Sequence, residues 1–242
     1  MVRERRASDT IAGAVSDLTI AQIQSDVNNA TEQKVKAESM ERVITYIDGF
    51  NLYFGLKSKK WQRYYWLNLS LLAKNLMKPY QKHISVKYFT SRIVQPTGKH
   101  QRQLVYLEAL ETLPDLSIFY GKYQHNPHTC PSCGYIETIP SEKMTDVNIA
   151  VELLADAYQD KFDIALLISA DSDLTAPIEK VRQLFPKKKV VSAFPPDRSS
   201  KELKRVSSAY LTIGRTVLAN SQFDEQATSK SGYPLIRPVT WK

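Results

Sequence analysis

The chain has 242 residues, 43% of them apolar, and a formal net charge of +8. That is enough for one good-sized domain or two small ones with an ordinary globular core. No apolar run reaches the roughly 18 residues that span a bilayer, no signal-peptide core follows Arg3, Arg5 and Arg6, and two cysteines do not make a disulfide framework, so the sequence reads as a soluble, cytoplasmic protein.

The charge is uneven. Residues 1–42 carry six Lys/Arg against seven Asp/Glu, and the remainder carries 27 against 18. A basic domain points to a polyanionic partner, with surface solubility as the plain alternative. Residues 1–41 are polar and are expected to form an extension, with a modest helix suggested by Ile20, Ile23 and Val27.

From Val43 the chain alternates strand and helix. Val43–Asp48 reads as a strand, followed by a short helix from Asn51. A helix over 68–78 has Asn68 or Ser70 as its cap. Strands are expected at 84–90, 116–123, 163–169 and 188–194, and helices at 98–112, 145–159, 174–185 and 200–207. Residues 124–141 read as a loop, and the tail from about 221 as weakly structured. Helices between strands imply crossovers and a mostly parallel sheet. The expected fold class is therefore α/β, a three-layer Rossmann-like arrangement, with one domain over 42–220 between the extension and the tail.

Four aspartates fall at the ends of these elements. Asp48 closes the first strand, Asp146 opens a helix, and Asp171 and Asp173 follow the apolar run Ile164–Ile168. In an open parallel sheet the strand ends share one crevice, where ligands bind. Two of the acids also have a plainer explanation, Asp173 as a helix cap, and Thr145 or Asp146 as the cap of the helix at 145–159, while Asp171 is explained less well that way. Asp48 fits a packing role least well. Gly49 permits a close backbone approach, and Asn51 can orient a carboxylate, a water or a phosphate. Converging carboxylates call for a hard cation, Mg²⁺ or Mn²⁺. No G-x-x-x-x-G-K-[ST], G-x-G-x-x-G or G-x-S-x-G motif is present, which weakens nucleotide-cofactor and α/β-hydrolase readings.

Three motifs occur in order: Tyr46-Ile47-Asp48-Gly49-Phe50-Asn51-Leu52, Lys143-Met144-Thr145-Asp146-Val147 and Ser169-Ala170-Asp171-Ser172-Asp173. Through them the chain resembles the NYN-domain proteins, a branch of the PIN-like nuclease superfamily, over about residues 42–214. Ala170 stands where members usually have Gly. The resemblance implies a PIN-like sheet and metal-dependent cleavage of RNA. It makes Asp48, Asp146, Asp171 and Asp173 the metal-binding acids and Asn51 an accessory polar group.

Two further segments carry chemistry. Lys57, Lys59, Lys60, Trp61 and Arg63 interleave cations with aromatics and are candidates for gripping a single strand. The plainer reading makes Tyr64, Tyr65 and Trp66 core residues. Lys87, Arg92, Lys99 and Arg102 are weaker candidates. His125, His128, Cys130 and Cys133 have zinc-like chemistry in a compressed spacing. A structural Zn²⁺, a site shared across a homo-oligomer, a redox pair and free thiols all remain open there. The leading expectation is a metal-dependent ribonuclease with RNA as partner and no membrane. The alternatives are an RNA-binding or regulatory module of the same fold and a phosphatase-like hydrolase.

Overall fold

The structure, a computed structural model, describes residues 40–93, 97–129 and 131–242, with the backbone alone for 123–129 and 136–142. Six strands make one wholly parallel sheet: β1 (Glu41–Asp48), β2 (Gln81–Thr90), β3 (Leu116–Tyr120), β6 (Ile164–Ile168), β7 (Lys189–Phe194) and β8 (Ala209–Thr212), in the order β3-β2-β1-β6-β7-β8. The helices are α1 (Gly49–Ser58), α2 (Leu69–Leu76), α3 (Thr97–Glu111), α4 (Thr145–Tyr158), α5 (Thr175–Leu184), α6 (Lys201–Val206) and α7 (Arg215–Ala219).

Alternation along the central strands feeds two cores. Val43 and Ile47 of β1, with Ile164, Leu166 and Ile168 of β6, pack on α1, α2, α3 and α7 through Leu52, Leu72, Leu110 and Leu218. Ile44, Tyr46, Ala165 and Leu167 point to the other face, against Ile149, Leu153, Ile178, Val181 and Leu203 of α4, α5 and α6. Helices on both faces are why β6 is a continuous apolar run and why β1 is buried from Val43 onward. The chain leaves β1 towards β2 and β3 with its helices on one face. It then returns to β6, on the far side of β1, with its helices on the other. The switch point lies between β1 and β6.

Two expectations differ from what is found. The third strand stops at Tyr120, and the segment expected as a loop forms an antiparallel ribbon, β4 (Lys122–Thr129) against β5 (Ile136–Lys143). Pro127 and Pro140 argued for a loop, but a two-stranded ribbon is all edge, where a missing N–H is tolerated. The tail forms a small hairpin, β9 (Gln226–Thr228) with β10 (Pro234–Ile236). It is anchored on Trp66: the indole N–H donates to the Asp224 carbonyl at 2.8 Å, and Leu235 and Trp241 pack on the ring.

Candidate active site

The register of the central strands builds the site. Ile47 lies opposite Ile168, so the next residues, Asp48 and Ser169, meet where β1 and β6 part. The Ser169 hydroxyl donates to Asp48 Oδ2 at 2.9 Å and accepts the Asp171 N–H at 3.0 Å. Asp48 also caps α1, its Oδ1 accepting the Asn51 N–H at 2.9 Å, while Asn51 Nδ2 donates to Oδ2 at 2.7 Å. That capping role differs from the expectation of a helix starting only at Asn51. Asn51 Oδ1 accepts from the Ala170 N–H at 3.3 Å and from Arg198 Nη1 at 3.2 Å. One serine and one asparagine thus tie both strand ends together.

Asp48 is only 3% exposed. Burial pushes its carboxyl above the usual range, against the hydrogen bonds from Asn51 and Ser169, and the charge of Asp171 pushes the same way. Its direct partners are neutral donors, and the neighbouring charge is negative. Gly49 is required here by space: an added Cβ would lie 2.7 Å from the Tyr88 hydroxyl and 2.8 Å from the Phe89 carbonyl. Tyr88 itself is buried beside Asp48, and burial pushes its hydroxyl up to about 12.

The other acids stand nearby with different roles. Asp171 caps the turn Ser172–Leu174, its Oδ1 accepting the Asp173 N–H at 3.0 Å. The expected cap at Asp173 is therefore corrected: its side chain is exposed and its backbone is the donor. Asp146 lies in the first turn of α4, a helix that packs against the turn carrying Asp173. Thr145 does not occupy the cap position. Met144 does, in the left-handed region at φ 78° and with no side-chain cap bond.

The candidate ligands are carboxylate oxygens, the donor set of a hard cation. The uncompensated charge at Asp48 and Asp171 fits a divalent ion. As the side chains stand, no group of three His, Cys, Asp or Glu among the described residues is gathered tightly enough to hold a metal. Both Asp48 oxygens accept from Asn51 or Ser169, and Asp171 Oδ1 accepts the Asp173 N–H.

The basic aromatic stretch divides. Tyr64 and Trp66 are core residues, and Trp61 is half-buried against Tyr64. Lys59 pairs with Asp197 at 2.8 Å, and Lys60 and Arg63 are exposed. Lys57 stands 5.7 Å from the centre of the Phe54 ring. Lys87 is turned inward, bonded to Asp156 and, at 2.6 Å, to Glu152, so it is no surface cation. Arg92 stacks on Tyr120 at 4.7 Å. The side chains of His125 and His128, and all of Cys130, lie outside the described residues. Cys133 is exposed and free of any disulfide.

Arg198 was missed in the sequence. It follows the end of β7, the same kind of position as Asp48 and Asp171, but it is a cation where the pattern of strand-end acids is the visible signal. Gly55 makes room for it: an added Cβ would lie 2.6 Å from the Pro196 carbonyl, so α1 can lie against Pro195-Pro196 and bring Arg198 onto Asn51.

A six-stranded parallel sheet with carboxylates at its central strand ends defines a Rossmann-like α/β domain. The chain belongs to the NYN domain family, whose match covers residues 42–214; that domain is of the PIN-like nuclease superfamily. A curated relative, the 6-hydroxy-3-succinoylpyridine 3-monooxygenase HspA of Pseudomonas putida, is 26% identical, the match covering 62% of this chain and 58% of that protein. The chain thus spans less than two thirds of that relative's length. The crystal structure of a protein of unknown function from Vibrio parahaemolyticus aligns with a TM-score of 0.50 at 17% identity, over 76% of this chain and 98% of that one. It supports the fold alone. No described helix is long and apolar enough to cross a membrane.

Proposed function

We propose that the protein is a metal-dependent ribonuclease that hydrolyses RNA phosphodiester bonds at the β1–β6 switch point. The observation that carries the reading is a buried Asp48, bonded only to neutral donors and beside a second acid. Asp48 and Asp171, with Asp173 and Asp146, would hold Mg²⁺ or Mn²⁺. When bound, such an ion lowers the pKa of a water and stabilises charge on phosphoryl oxygens. Asn51 and Ser169 hold Asp48 in one orientation, so the carboxylate is positioned before substrate arrives. Ser169 also fixes the backbone of Asp171, which couples the two acids. Arg198, tied to Asn51, supplies positive charge at the rim. No side-chain nucleophile is needed.

The test is Mn²⁺-dependent cleavage of single-stranded and structured RNA by the native protein and by Asp171→Asn. Cleavage lost in the variant supports the reading; equal cleavage overturns it. One observation favours a second reading, an RNA-binding module with weak or no turnover: no three described acids are gathered on one point. Tight RNA binding without cleavage in Mn²⁺ would select it. An activity like that named for the Pseudomonas relative would show instead as reductant-dependent oxygen consumption with a pyridine substrate and no RNA cleavage.

A further inference from the structure

The helix that begins at Asp48 presents an aromatic face to solvent. Tyr53 and Phe54 are 36% and 41% exposed. Phe50 stacks on Phe54 with centroids 6.3 Å apart, and Tyr53 meets Phe54 edge-on at 5.3 Å. Large exposed rings cost water contact, and in a cluster they mark a binding surface. Two cations flank this one. Lys57 is 5.7 Å and the Arg198 guanidinium 5.8 Å from the Phe54 centroid.

Arg198 has no carboxylate within ion-pair distance among the described residues. Its Nη1 bonds to the neutral Asn51, and its Nε is buried without a partner. A buried N–H left unpaired costs free energy, so the guanidinium gains a hydrogen bond by swinging out onto an anion. Arginine offers a planar fork that a phosphate fits in bidentate fashion. Through Asn51 this fork is two hydrogen bonds from Asp48, at 3.2 and 2.7 Å.

We propose that Arg198 and the aromatic face of α1 form a subsite for one unpaired nucleotide of an RNA strand, the phosphate on the guanidinium and the base on Phe54. The proposal rests on the ribonuclease reading for its choice of ligand. Charge selects a polyanion over a second protein: the face carries Lys57 and Arg198, and Asp197, next to Arg198 in the chain, is already paired with Lys59. A base can reach Phe54 by displacing the exposed side chain of Lys57. A duplex cannot use the ring, because its bases are already stacked, so the subsite selects unpaired RNA.

The experiment is fluorescence-anisotropy binding of a labelled single-stranded oligoribonucleotide and of its duplex. The proteins are full-length Asp171→Asn with native Arg198 and Phe54, and the same protein with Phe54→Leu or Arg198→Gln. Phe54→Leu keeps an apolar helix former and should weaken single-strand binding about tenfold, with little effect on the duplex. Arg198→Gln should lower the log–log salt slope by about 0.7, the loss of one phosphate contact on a single strand. Lys180→Gln, on the opposite face of the sheet, serves as the charge control. Equal losses on single strand and duplex, a salt slope unchanged by Arg198→Gln, or an equal change with Lys180→Gln would each overturn the subsite. The two proposals separate cleanly. Cleavage by native protein with no Phe54 or Arg198 effect overturns the subsite alone, and the predicted binding losses without native cleavage in Mn²⁺ support the subsite and overturn the nuclease.

Discussion

Among the described residues two carboxylates are buried, one at the end of β1 and one on α4, and their surroundings differ in kind. Asp156, 1% exposed, sits on α4 within a closed ion cluster. The Tyr46 hydroxyl donates to it at 2.7 Å, Lys87 and Lys161 pair with it, and Lys87 also reaches Glu152. Asp48 is nearly as buried, yet its direct partners are neutral and its neighbouring charge is another acid. A buried charge must be paired or it is costly. Asp156 has its cations from the chain, which makes it a brace between α4 and the sheet. Asp48 lacks one, so its surroundings are suited to a cation from outside.

The comparison breaks most visibly at the brace. Asp156→Ala leaves Lys87 with half its partners and should cost about 3–5 kcal/mol, a fall in melting temperature on the order of 10 °C. Calorimetry checks this, and an unchanged melting temperature would remove the distinction between the two acids. In Asp48→Asn, asparagine still caps α1 and relieves a buried charge, which offsets the amide N–H it turns onto the Asn51 donor, so the melting temperature should change far less than in Asp156→Ala. RNA cleavage in Mn²⁺ should drop more than about 100-fold, since even the partners that orient a ligand cost 10–100-fold.

Smaller changes sharpen the same contrast. Gly49→Ala forces a Cβ against Tyr88 and the Phe89 carbonyl and should cost about 1–3 kcal/mol, read in a urea titration. Ser169→Ala removes one neutral donor from Asp48 and should lower cleavage about tenfold with the fold intact by circular dichroism. The smallest effect lies at the other end of the sheet. Arg42 forms a bidentate pair with Asp163, at 3.0 and 2.8 Å, and holds its carboxyl below the ordinary range, mainly by side-chain hydrogen bonding. The stability from this pair is fully present above the ordinary aspartate pKa of about 4 and is lost as pH falls through the depressed one. Arg42→Met should therefore remove that contribution at neutral pH and flatten the acid limb of the stability curve below about pH 4, read in urea titrations across pH.

Much of this was legible in the sequence, for reasons that also explain the gaps. β1 and β6 are covered on both faces, so their apolar runs and the acids beyond them stand out. β8 is a four-residue edge strand with three of its four residues exposed, and it carries no such pattern. The ribbon was hidden by prolines that only an edge tolerates. The tail was hidden because its anchor is a tryptophan some 160 residues earlier. Asp48 as a cap follows from α1 beginning at Gly49, two residues before the sequence suggested. Arg198 depends on Gly55 admitting Pro195-Pro196 onto α1, a contact between distant segments. The turn into α4 rests on a left-handed Met144, which nothing about methionine announces.

The central claim is that Asp48 and Asp171 share a cation, and a crystal of the native protein soaked in Mn²⁺ tests it most directly. The account predicts an anomalous peak at the β1–β6 switch point, with carboxylate oxygens of Asp48 and Asp171 within about 2.0–2.6 Å. A fully soaked crystal with no peak there, Asp48 still bonded only to Asn51 and Ser169, would contradict it.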